Sequence, residues 1–118
     1  MPAACRQLRQ AQLPAELAGA LNFWGDMHRL RGSYASARAM LEESVACYRK
    51  LGAQAGLARA LGSLGAAVHR QGEYAQARQH AQESLELFRQ AGNQWGAATA
   101  LYRLGYAAYE LGEFAVAE

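Results

Sequence analysis

The chain has 118 residues, 12 basic against 10 acidic side chains, 52% hydrophobic residues and two prolines, which fits one small alanine-rich domain suited to close helix packing. Charges come one or two at a time, so no basic run calls for nucleic acid as a direct partner. The apolar stretches are far too short to span a bilayer, and the first residues lack the long apolar core of a secretory signal.

Repetition organises what remains. Gly32, Gly72 and Gly112 are 40 residues apart, and so are Gly25, Gly65 and Gly105. Residues 52–91 laid on 12–51 give 14 identities in 40, and 92–118 laid on 52–78 give 13 in 27. A fixed period of this length marks a stacked repeat array. Residues 1–11 read as the tail of an earlier second helix, because Leu8-Arg9-Gln10-Ala11 aligns with Phe88-Arg89-Gln90-Ala91. Pro14 suits the first turn of a helix over about 14–31. Ser33 is an expected N-cap for a helix over about 34–51, which Gly52 ends. The second unit repeats the pair over about 54–71 and 74–91, with Leu57, Leu61, Leu64 and Val68 on one stripe and Ala77, Ala81, Leu85 and Phe88 on the other. A last helix over about 94–111 is followed by Phe114 to Glu118, the start of an unfinished partner. The expected organisation is a single repeat domain, 1–118. It comprises a partial repeat ending at 11, repeats at 12–51 and 52–91, and a partial repeat over 92–118.

Two-residue turns at 32–33, 72–73 and 112–113 force antiparallel helix pairs, and no strand pattern appears, so the fold class is all-α. The mid-helix glycines 25, 65 and 105 each cost about 1 kcal/mol against alanine. Their repetition predicts a neighbouring helix packed on the bare backbone, with Ala37, Ala77 and Ala117 as the matching small residues.

The pattern resembles the tetratricopeptide repeat family. The residues behind this are Leu61, Leu64, Gly65, Gly72, Tyr74, Ala75 and Ala77, repeated as Leu101, Leu104, Gly105, Gly112, Phe114, Ala115 and Ala117. The first unit has Leu21, Trp24, Gly25, Gly32, Tyr34, Ala35 and Ala37. The unit is 40 residues rather than the usual 34 and lacks the closing proline, as in repeats of bacterial signal-transducing regulators. The resemblance implies a right-handed α-solenoid of stacked hairpins whose first helices line a concave groove for a protein or peptide.

The groove stripe read from the helical wheel holds Asn22, Asp26 and Arg29, then Arg59, Ala66, His69 and Arg70, then Tyr102, Tyr106 and Tyr109. The tyrosines share one face and suit an interface; packing against a further repeat is the other reading. The charged members could hold a polar peptide or form a solvated face with cross-helix ion pairs. Some members of the family clamp a C-terminal carboxylate with lysine, asparagine and arginine. The matching positions here include Asp26 and Thr99, so that clamp is not preserved.

Catalysis is not expected. His28, His69 and His80 lack ligand spacing, and His28 reads as a packing residue. Cys5 and Cys47 fit neither a disulfide framework nor a metal motif and read as small apolar fillers. Glu42 and Glu43 point about 100° apart on a helix. No cofactor is expected.

The leading expectation is a cytoplasmic scaffold for a protein or peptide, drawn from a larger protein. The alternative is the sensory or effector-binding segment of a bacterial transcriptional regulator or signal-transducing ATPase. Leu101, Leu104, Ala108 and Leu111 would leave an apolar end face that favours end-to-end self-association.

Overall fold

The computed structural model describes residues 2–112. Among them are six α-helices and no strand: α1 (Ala3–Gln10), α2 (Pro14–Leu30), α3 (Tyr34–Leu51), α4 (Gln54–Arg70), α5 (Tyr74–Gln90) and α6 (Gln94–Glu110). The expected helix starting at Phe114, with Ala115 and Ala117, lies outside the described residues. Helices of 17 residues are about 26 Å long, and they stack into an all-α solenoid measuring 50 × 31 × 19 Å.

The turns follow from the repeated glycines. At the end of α4 the chain passes through Gly72 at φ 86°. There the Gly72 N–H donates to the His69 carbonyl at 2.9 Å, and the Glu73 N–H to that of Val68 at 3.0 Å. The α-carbon must be left-handed for both bonds to close, which glycine adopts without steric cost. Gly32, Gly52, Gly92 and Gly112 repeat this conformation. Gln12, one period before Gly52, takes the same left-handed φ of 57° without being glycine.

Pro14 opens α2 at its first turn, as expected. Ser33 stands at the N-cap of α3, but its hydroxyl caps nothing. Its N–H is used to close α2, donating to the His28 carbonyl at 2.8 Å. Its ψ of 68° also falls short of the extended geometry that aims a hydroxyl at the first turn. Asn93, with a longer side chain, does cap: its Oδ1 accepts from the Gly96 N–H at 3.0 Å.

Both apolar stripes of the second repeat are buried, Leu57, Leu61, Leu64 and Val68 on α4 and Ala77, Ala81, Leu85 and Phe88 on α5. Leu57, Leu61, Leu64, Val68 and Ala77 join Leu41, Val45 and Tyr48 of α3 in one core cluster. Cys5 and Cys47 pack in a second cluster with Leu17, Leu21 and Met40, where burial pushes both thiols up in pKa.

Close approach explains one of the mid-helix glycines, Gly25, and leaves Gly65 at ordinary contact distance. Gly25 faces Leu41, one turn beyond Ala37, and a methyl placed on it would come within 2.7 Å of Leu41 Cγ. On Gly65 a methyl would meet the Ala77 carbonyl and His80 Cβ at 3.4 Å. Nothing among the described residues comes within 4 Å of that position on Gly105. Gly56 and Gly96 form a further repeated pair, pressed against the rings of Tyr48 and Phe88. Buried Ser44 and Ser84 bond across helix pairs, each hydroxyl donating at 2.8 Å to the carbonyl of Ala18 or Ala58.

Curvature can be read from the neighbours. Helices α2, α4 and α6 touch in succession, whereas among the described residues α3 and α5 do not touch each other. The first helices of successive pairs are therefore on the tighter, concave side.

Candidate functional site

The concave side carries two adjoining hollows. One, of about 390 Å³, lies near the C-terminal ends of α2 and α4. It is lined by Arg29 and Leu30 of α2, Tyr34 of α3, Ala66, His69 and Arg70 of α4, and Tyr102, Arg103 and Tyr106 of α6. The other, of about 520 Å³, is lined by Asn22, Phe23 and Asp26 of α2, Arg59, Gly62 and Ser63 of α4, and Trp95, Thr99 and Arg103 of α6. Arg103 borders both.

The ten residues expected on the groove stripe thus divide, with Ala66 in the first hollow. Arg29, His69, Arg70, Tyr102 and Tyr106 meet in the first hollow, and Asn22, Asp26 and Arg59 in the second. Tyr109 is in neither. It lies on the outer flank of α6 beside Leu101 and Glu110, where Tyr102 and Tyr106 also reach.

An aromatic ladder crosses the first hollow. The His69 ring meets Tyr74 edge-on at 5.0 Å and Tyr106 at 5.3 Å, and Tyr106 lies 5.7 Å from Tyr102. Burial holds His69 below the ordinary histidine pKa, with Arg70 and Arg103 adding to the effect and Glu110 opposing it. Arg70 spans to the preceding helix pair, its Nε donating to the Tyr34 hydroxyl at 3.0 Å.

Asp26 serves the scaffold. Its Oδ1 accepts from Arg29 Nε at 3.1 Å, and its Oδ2 from the Ser63 hydroxyl of α4 at 3.1 Å. Both oxygens are therefore engaged within the protein. Arg103 is the opposite case. It is half-buried, and that partial loss of solvent lowers its pKa; Arg29 pushes the same way and Asp26 opposes it. Its buried Nε has no hydrogen-bond partner among the described residues, and neither has the buried Oδ1 of Asn22. Unpartnered buried polar atoms are uncommon in folded proteins and call for a reason.

Arg103, Ser63, Phe23 and Trp95 were not singled out from sequence. Phe23, Ser63 and Arg103 share one register of the 40-residue period, next to the expected stripe. Trp95, 88% exposed at the start of α6, is the most exposed large apolar side chain among the described residues. No group of three or more His, Cys, Asp or Glu among the described residues could hold a metal ion. None of the described helices is long and apolar enough to cross a membrane.

Comparison with known proteins agrees with this geometry. The family model described as tetratricopeptide repeat matches residues 16–90 and 57–118. Among solved structures, 18 chains match. One is the crystal structure of the TPR domain of Arabidopsis FLU, with a TM-score of 0.83 and 19% identity, covering 88% of this chain and 87% of that one. At that identity the likeness is one of fold. No curated protein sequence matches the chain.

Proposed function

The chain belongs to the tetratricopeptide repeat family, and from that membership we propose that its concave channel holds an extended segment of a partner protein. Repeats of this family generally mediate protein–protein contacts and typically act as non-catalytic scaffolds. One observation favours the channel as the binding surface. Exposed Phe23, Trp95, Tyr102 and Tyr106 line two hollows that run along α2, α4 and α6 together with arginines. Aromatics and arginine are the side chains that dominate binding energy at interfaces, while solvated faces are usually poor in large apolar groups.

Selection of a displayed random-peptide library on the immobilised chain tests this. Wild type is expected to enrich peptides that a Tyr102→Ala/Tyr106→Ala variant binds about tenfold or more weakly. Equal binding by both would remove the channel assignment.

The outer flank of α6 supports a second contact, with another copy of the chain. Leu101 is 48% exposed, whereas Leu61, its equivalent one period earlier, is fully buried. Like surfaces stack in repeat arrays. Sedimentation velocity over a concentration series is expected to show self-association that Leu101→Glu abolishes. A monomer at every concentration would refute it.

A further inference from the structure

The second hollow reaches deeper than the channel surface. Besides residues of α2, α4 and α6 it is lined by Ala81, Ser84 and Phe88 of α5, all buried. A cleft therefore opens between α4 and α6 down to the helix behind them. Two small residues border it, Gly62 of α4 and Ala81 of α5. One period earlier the same positions hold Asn22 and Leu41, and Leu41 is fully buried. Volume that side chains supply in the first repeat is thus missing from the second. Packing does not demand the glycine. A methyl on Gly62 would meet only Ser84 Oγ, at an ordinary 3.6 Å, while a glycine inside a helix costs stability against alanine.

Polar chemistry converges on the same cleft. Among the described residues, Asn22 Oδ1 and Arg103 Nε are the buried side-chain polar atoms without a hydrogen-bond partner, and both residues line this hollow. One is an acceptor and the other a donor. A neutral group with an N–H and a ring lone pair could meet both, whereas a bare anion would leave Asn22 Oδ1 unmet. Exposed Phe23 and Trp95 border the hollow from α2 and α6. Aromatic faces and guanidinium planes both stack on flat rings. The volume, about 520 Å³, falls in the range of small-molecule sites.

We propose that the cleft between α4 and α6 binds a small, neutral, planar nitrogen heterocycle of the purine class. The Asn22 amide oxygen accepts from an N–H at the edge of the ring, and Arg103 Nε donates to a ring nitrogen. Asparagine recognises the edge of adenine by this kind of pairing. Phe23 and Trp95 cover the ring from the channel side, and Gly62 and Ala81 leave the room for it. The inference goes beyond the peptide reading and does not depend on it.

Titration of the full chain with adenine, followed in amide nitrogen–proton spectra, tests this. Saturable changes centred on Asn22, Gly62, Trp95 and Gly96 are expected, half complete at about 1 mM adenine or less. Ala81→Leu and Gly62→Asn each install the residue that the first repeat carries. Both should weaken adenine binding about tenfold or more, with helical circular dichroism unchanged. If Ala81→Leu does not fold, Gly62→Asn decides. Asn22→Ala leaves the cleft open but removes the acceptor, and it should weaken binding about tenfold. Cyclohexanecarboxamide, with a donor and an acceptor on a puckered ring, should leave the spectra unchanged at the same concentration. Several results would overturn the proposal: no saturable change with adenine, changes centred elsewhere in the chain, or undiminished affinity in Gly62→Asn or Asn22→Ala. An equal response to cyclohexanecarboxamide would overturn it as well.

Discussion

Replacing Gly25 by alanine sets backbone propensity against packing within one residue. Alanine is favoured over glycine by about 1 kcal/mol inside a helix. The added methyl would come within 2.7 Å of Leu41 Cγ and 2.8 Å of its Cδ2, where carbon atoms normally rest about 3.5–4.0 Å apart. Leu41 is fully buried. Its Cγ is a branch point rather than a free tip, so either the side chain leaves its rotamer or α2 and α3 separate. Overpacking of this kind costs about 1–3 kcal/mol, and the net expectation is a loss of roughly 1 kcal/mol. Gly62 is the control, a mid-helix glycine that does not recur at the period. A methyl there meets only Ser84 Oγ at 3.6 Å, an ordinary contact, so Gly62→Ala should gain about 1 kcal/mol. Thermal unfolding followed by circular dichroism should place the variants on opposite sides of wild type, each displaced by about 4 °C. Should Gly25→Ala stabilise as much as Gly62→Ala, close packing would not be the reason for the repeated glycine.

Four further outcomes follow from the packing and the charges. Ser44→Ala and Ser84→Ala should each cost about 1 kcal/mol, the net worth of one buried hydrogen bond, and urea titrations should show the two losses adding. Gln12→Gly should stabilise by about 1 kcal/mol, since it relieves a left-handed non-glycine residue whose side chain is exposed; no change in urea midpoint would contradict this. Burial holds His69 and His80 below the ordinary histidine pKa of 6.5. Their neutral forms are thus favoured by folding, so stability is complete above about pH 6.5 and falls as pH drops from there toward the lowered folded values. His80 is faced by Glu83 and Glu42, which raise its pKa, and by Arg38 and Arg49, which lower it further. Unfolding midpoints between pH 7.5 and 5 should decline less steeply in His80→Gln, and an unchanged slope would remove burial as the cause. Glu83 acts in a lower window: its hydrogen bonds to Arg49 depress its pKa, so its contribution is lost only as pH falls below about 4.5.

The helices were legible because the backbone itself dictates their ends. A left-handed turn selects glycine; Gly32, Gly52, Gly72 and Gly92 stand two residues before α3, α4, α5 and α6, and Gly112 stands just past the end of α6. Leucines at three- and four-residue spacing marked the core for the same reason, since helical period alone fixes which side is apolar. Capping was less legible: Ser33 has the right chemistry, but whether it caps depends on a ψ set by the preceding turn. The burial of Ser44 and Ser84 is not legible from sequence, because their acceptors lie 26 positions earlier in the chain, on another helix. Groove membership was harder still. The width of the channel follows from how far α2, α4 and α6 splay, which no single helix encodes. A wheel reading gave one stripe, whereas the channel admits the adjacent register of Phe23, Ser63 and Arg103 and the N-terminal Trp95.

The most direct measurement is a backbone amide chemical-shift map of the folded chain titrated with a library-selected peptide. The account predicts saturable changes confined to the channel faces of α2, α4 and α6, largest around Asp26, Ala66, His69 and Arg103, with α3 and α5 little affected beyond Tyr34. Changes centred on the convex faces of α3 and α5, or spread evenly over the chain, would contradict it.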